Sequence, residues 1–188
     1  MKRRACFLLL IALWGAGSAT LRAAENNPAV TEARTGDASS MSEQSMMRDL
    51  FDRWERVWHE GRFDLVPGCV GEHYIRHDEQ GDRTVTREAY AAEIVKIRQE
   101  RPDIRVVVYD HSFEGNRAWF RFAFKWTDPK TGEPRSRAGM QSYRTEGGKL
   151  VETWLSMQPL GSAWSDAAAQ EHWTSPPPIK RRVHKIYA

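Results

Sequence analysis

Between Asp103 and Gln158, apolar and polar residues alternate along three long segments separated only by turns. Residues 104–113, 117–127 and 136–158, the last broken at Glu146-Gly147-Gly148, all keep a period of two. That period puts successive side chains on opposite faces, as in strands with two unlike surfaces. Glu114-Gly115-Asn116-Arg117 supplies a hairpin turn and Asp128-Pro129-Lys130-Thr131-Gly132 a longer one, so the strands follow each other as a meander. On the middle strand Phe120, Phe122, Phe124 and Trp126 share one face, against Trp119, Arg121, Ala123 and Lys125 on the other. A slip of one residue would exchange the two sets, which fixes the register.

Two helical segments precede this sheet. After Ser42, a good N-cap, Met47, Leu50, Phe51, Trp54, Val57 and Trp58 recur at helical spacing up to Gly61. Residues 63–70 read as a short turn or helix and 74–78 as a short extended piece. Thr84 or Thr86 caps a second helix that ends before Pro102, with Tyr90, Ile94 and Ile97 on its buried side. Helices first and meander second imply an α+β fold: N-terminal helices packed in a strongly curved antiparallel β-sheet, with a cleft between them. After Pro159 the pattern dissolves. Residues 161–188 are expected as a tail, disordered or partly helical over 163–173, with a basic end at residues 180–185.

The first residues stand apart from that domain. Lys2-Arg3-Arg4 is followed by an apolar run over residues 5–14, too short to span a bilayer, and then by Gly17 and Ala19. Residues 1–19 are therefore expected to be a signal peptide, which predicts a secreted or periplasmic protein without stable membrane association after cleavage. Residues 20–41, with few large apolar groups, are expected as a disordered leader, and residues 42–160 as the folded domain. The 28 basic and 25 acidic residues become 25 of each once Lys2, Arg3 and Arg4 are lost. A neutral mature chain argues against nucleic acid as a partner. Cys6 leaves with the signal, so Cys69 stands alone and is expected to be buried, with no intrachain disulfide.

Four motifs in this order carry a resemblance to a known family. They are Val57-Trp58-His59-Glu60-Gly61-Arg62-Phe63-Asp64, Tyr74-Ile75-Arg76-His77-Asp78, Arg101-Pro102-Asp103-Ile104 and Gly147-Gly148-Lys149-Leu150-Val151-Glu152-Thr153-Trp154. Over residues 42–160 the chain resembles the SnoaL-like branch of the nuclear transport factor two-like superfamily. The resemblance implies a cone-shaped α+β barrel with a pocket at one end, and commonly a homodimer formed through the sheet. Polyketide cyclases, ketosteroid isomerases, epoxide hydrolases, dehydratases and binding modules share this fold, so fold alone does not settle function.

The resemblance also implies cofactor-free chemistry where there is any, and neither a cofactor nor a metal is expected. His73 and His77 are four apart, but in an extended segment without a third ligand at suitable spacing. In the cyclases an aspartate on the late strands moves the proton. Gln158 and Gln141 stand in those regions here, and an amide cannot accept a proton at physiological pH. The catalytic candidates are then His77 or Asp78 as base and Tyr74 as oxyanion donor. The alternative for His77-Asp78 is a hydrogen-bonded turn before Gly81. Glu152 either looks into the cone or pairs with Arg144 across the strands. Trp54, Trp58, Phe122, Phe124, Trp126, Gln141, Tyr143, Trp154 and Gln158 are the expected pocket residues. Three functions remain open: binding of a small apolar or ring-containing molecule, cofactor-free isomerase, cyclase or dehydratase chemistry, and an interaction module whose pocket is filled.

Overall fold

A computed structural model describes residues 28–165 and 168–176, with side chains from residue 41 onward. The expected signal segment and the basic end lie outside the described residues. Helix α1 spans Pro28–Glu60. It thus begins well before the expected cap Ser42, and residues 28–41 continue the helix instead of forming a disordered leader. Proline suits the first helical turn, where its missing N–H is not needed, and a helix already nucleated by packing extends cheaply. The packed part is the expected one: Met47, Leu50, Phe51, Trp54, Val57 and Trp58 are all buried. Gly61 then takes φ 71°, open to glycine without strain, and turns the chain out of the helix.

A 3₁₀ turn at Phe63–Leu65 and a single helical turn, α2 (Val66–Cys69), lead into strand β1 (Val70–Asp78). Cys69 is buried and free. Strand β2 (Gly81–Thr86) pairs antiparallel with β1 as a hairpin. Its mostly polar residues lack a clean alternation, so it was not among the expected strands. Thr86 caps helix α3 (Arg87–Glu100), its Oγ1 accepting from the Ala89 amide at 3.2 Å. The meander follows as β3 (Arg105–Glu114), β4 (Arg117–Thr127), β5 (Pro134–Glu146) and β6 (Lys149–Met157).

The six strands form one sheet in the order β2-β1-β6-β5-β4-β3. All neighbours are antiparallel except β1 and β6, so the sheet is mixed where an antiparallel one was expected. The parallel pair is possible because the long route through α3 and the meander brings the chain back to β1 in the same direction. Helices α1 and α3 pack on the inner face. Phe51 lies 5.6 Å, 4.7 Å and 5.2 Å from the rings of Phe113, Phe120 and Tyr143, tying α1 to β3, β4 and β5.

Two bulges decide which residues face inward. On β6, Arg144 faces Glu152 while Thr145 faces Leu150, which leaves Val151 as the extra residue. Leu150 and Thr153 are therefore both buried, and Leu155 continues the inner row, while Glu152 and Trp154 lie on the outer face. On β3, Val108 faces Phe122 and Asp110 faces Arg121, so Tyr109 is the extra residue and packs with Ala123, Ala138 and Trp164 on the outer face.

The segment after β6 contains no helix among its described residues, against the expectation for 163–173. It is a strap held by its side chains. Trp164 donates from Nε1 to the Phe122 carbonyl at 2.8 Å. The Gln170 amide then bonds the Val108 carbonyl at 2.8 Å, and Trp173 Nε1 the Val106 carbonyl at 2.9 Å. The Gln170 and Trp173 bonds cover the free edge of β3, which would otherwise expose unpaired backbone groups. Thr174 reaches α1, donating from Oγ1 to Asp52 at 2.6 Å and accepting from Arg48 at its carbonyl.

Candidate functional site

An apolar cavity of about 130 Å³ lies between the helices and the inner face of the sheet. Trp58 of α1, Ile97 of α3, Val106 and Val108 of β3, Phe120, Phe122 and Phe124 of β4, Leu155 of β6 and Trp173 of the strap form most of its wall. Its polar side is made by Arg76, Tyr90, Glu93, Gln141 and Tyr143. It shares Arg76, Ile97, Phe124 and Leu155 with a wider vestibule of about 430 Å³, whose wall adds Asp78, Arg101, Trp126 and Arg137 among others.

Alternation along β1 sends Tyr74, Arg76 and Asp78 inward and His77 outward. Asp78, with 7% of its side chain exposed, is gripped by two arginines: Arg76 Nη2 at 2.9 Å and Arg83 Nη1 at 2.6 Å. Glu93 of α3 closes the ring, paired with Arg76 and lying 3.7 Å from Arg83 Nη2. The result is two cations and two anions, neutral as a unit. Burial pushes the Asp78 carboxyl up, but the bonds from Arg83 and the Gln80 amide and the charges of both arginines outweigh it and hold it below its ordinary range. The Arg76 guanidinium also lies 4.6 Å over the Tyr90 ring.

Tyr74 is fully buried against Tyr90, 4.8 Å between ring centres, and is not on the cavity wall. Its hydroxyl lies beside Thr153 without a well-aligned hydrogen bond, and burial holds it far above the usual phenol range. Burial does the same to Tyr143 and pushes Tyr90 up to about 12. All three stay protonated, as donors rather than bases.

His77 belongs to a different surface. It stacks on Trp154 at 5.1 Å and sits between Asp82 at 2.8 Å and Glu152 at 3.0 Å. Those two carboxylates, Glu152 first, raise its pKa. Glu152 in turn pairs with Arg144 at 2.7 Å, the cross-strand alternative of the two readings of that residue. The structure therefore does not bring His77, Asp78 and Tyr74 to one wall.

Of the expected pocket residues, Trp58, Phe122, Phe124, Gln141 and Tyr143 line the cavity, and Trp126 lines the vestibule. Trp54 is fully buried in the core, Trp154 is on the outer face and Gln158 is exposed beyond β6. The bulge at Val151 shifts Trp154 off the inner row. Arg76 and Glu93 were missed as site residues although the sequence held a signal for each. Arg76 shares parity with Tyr74 and Asp78, and Glu93 follows Tyr90 by one helical turn. Trp173 carried no such signal, because only the strap's path brings it to the cavity. Among the described residues no cluster of three or more His, Cys, Asp or Glu is arranged to hold a metal ion.

Helices seated in a curved mixed sheet around an apolar cavity define a cone-fold protein with a small-molecule-sized pocket. Residues 51–153 match the SnoaL-like domain, and the chain belongs to that family. Solved structures agree on the fold. A SnoaL-like polyketide cyclase from Agrobacterium tumefaciens is similar at 18% identity and a TM-score of 0.53, covering 60% of this chain and 91% of that one. An NTF2-like protein from Anabaena variabilis is similar at 13% identity and a TM-score of 0.52, with 63% and 91% covered. A protein of ketosteroid isomerase-like fold from Catenulispora acidiphila, solved with trimethylamine, is similar at 12% identity and a TM-score of 0.50, with 57% and 83% covered. No curated protein matches the chain.

Proposed function

We propose that this is an exported protein that binds a small apolar or ring-containing molecule in its cone. The observation that carries this reading is the cavity, walled by aromatic and aliphatic side chains, with polar groups gathered on one side. Such a site excludes water from a ring and orients it by a few polar contacts. An engineered cavity of about 150 Å³ in another protein holds benzene, so about 130 Å³ takes one ring and the vestibule takes the rest of a larger molecule. A module with a filled pocket fits poorly with this open volume. Export is supported by Lys2-Arg3-Arg4 and the apolar run after it. A homodimer through the sheet is part of the proposal, supported by Trp119, Met140 and Trp154 around one shallow depression of the outer face, with Met140 41% exposed.

The test is a thermal-shift panel of one- and two-ring compounds against the unsubstituted protein and Leu155→Trp, which places an indole in the cavity. Stabilisation by ring compounds that Leu155→Trp abolishes is expected. No shift from any compound would reject the reading. A cofactor-free acid–base enzyme is the second reading, favoured by the Glu93 carboxylate on the cavity wall. In that case Glu93→Gln would remove turnover of a bound ring compound while leaving it bound.

A further inference from the structure

We propose that the ligand is an acid: a ring-bearing molecule whose anionic group is held at the vestibule by Arg101. This rests on the pocket reading above and names the ligand's chemical class. The charges of the vestibule wall carry it. Arg76 is neutralised by Asp78 and Glu93, and Arg137 is paired with Glu79 in a two-pronged contact. Arg101 is the remaining cation of that wall, and among the described residues no carboxylate pairs with it. Its guanidinium instead lies 4.8 Å over the Trp126 ring, itself a vestibule residue.

This arrangement suits an incoming anion better than it suits the empty protein. The Trp126 face fixes the guanidinium plane and leaves its edge N–H groups for a planar carboxylate, which arginine binds with two parallel hydrogen bonds. Its position is set by the backbone as well. Arg101 ends α3, its amide bonding the Ile97 carbonyl at 3.0 Å, and its own carbonyl accepts from Ile104 at 3.0 Å. Ile97, one turn earlier, is a wall residue of both cavity and vestibule. A ring seated against Ile97, Phe124 and Leu155 can thus extend a short chain toward Arg101.

A matched pair of probes tests this: 4-phenylbutanoate and its neutral isostere 4-phenylbutanamide, each titrated while the tryptophan indole N–H signals are followed by NMR. Trp58 reports the cavity and Trp126 the vestibule. The acid is expected to bind about fivefold more tightly than the amide, the size of one solvent-accessible charge contact. That preference should shrink between about 0.05 M and about 1 M salt, because a partly exposed pair is screened. It should collapse in Arg101→Gln and persist in Arg101→Lys. Equal affinity for the two probes, or a preference that survives Arg101→Gln or is indifferent to salt, overturns the assignment while the pocket itself stands. If neither probe moves the Trp58 and Trp126 signals, the pocket reading fails and this one with it.

Discussion

Truncating Trp173 to alanine is expected to destabilise the protein by about 4 kcal/mol, within the range for removing a large buried aromatic. The magnitude follows from what the side chain touches. Trp173 is 4% exposed, stands edge-on to His59 at 5.8 Å and packs beside Phe120 at 6.2 Å. Burying such a ring contributes about 3 kcal/mol. The bond from Nε1 to the Val106 carbonyl adds about 1 kcal/mol, because β3 has no further strand to satisfy that group. With an m-value of about 2 kcal/mol/M, the urea midpoint should fall by about 2 M. The transition is followed by far-UV circular dichroism, since the substitution removes a fluorophore. Trp173→Phe keeps most of the ring and loses the donor, so it should cost about half as much. A midpoint for Trp173→Ala within about 0.3 M of the parent would show that the strap contributes nothing to the fold. Equal damage from Phe and Ala would refute the division between ring and hydrogen bond.

Four further outcomes follow from local geometry. Gly139→Ala would place a Cβ 2.6 Å from Met157 Sδ and 3.0 Å from the Ser156 carbonyl, so a loss of about 2 kcal/mol is expected in thermal unfolding. His77, raised above its ordinary 6.5 by Glu152 and Asp82, holds its proton more tightly folded than unfolded. Its contribution is therefore complete below pH 6.5 and fades as pH rises through the folded value, and an NMR titration of its ring should give a midpoint above 6.5, which His77→Gln removes. Asp78 has the opposite sign: its depressed pKa gives stability that is present above its ordinary 3.8 and lost as pH falls through the folded value. Asp78→Asn should flatten the acid limb of the stability curve and cost about 3 kcal/mol at neutral pH, because it leaves Arg76 and Arg83 undercompensated. Cys69, buried and pushed up to about 11 chiefly by desolvation, should resist a thiol reagent until the chain unfolds.

Amphipathic periodicity determined the element types of this protein, because it reports directly which side of a helix or strand must leave water. The buried rows of α1 and β4 and the meander were legible that way, whereas the choice of Thr86 over Thr84 as the α3 cap was made by the structure. Part of the pocket was legible too: Phe122 and Phe124 share the apolar face of β4, and Gln141 and Tyr143 share one parity on β5. What the tertiary structure decided was everything set by pairing across long separations. The bulge at Val151 reverses parity within one strand, so Trp154 faces out and Leu155 in, and no composition cue marks an extra residue that only its partner strand reveals. Strand β2 exists because β1 lies beside it. Arg76, Asp78, Arg83 and Glu93 become one neutral unit only when β1, β2 and α3 meet, and Trp173 becomes a cavity wall only when the strap rounds the edge of β3. Local solvation preferences are written in nearest-neighbour order along the chain, whereas charge pairing and edge coverage depend on distances that the chain acquires by folding.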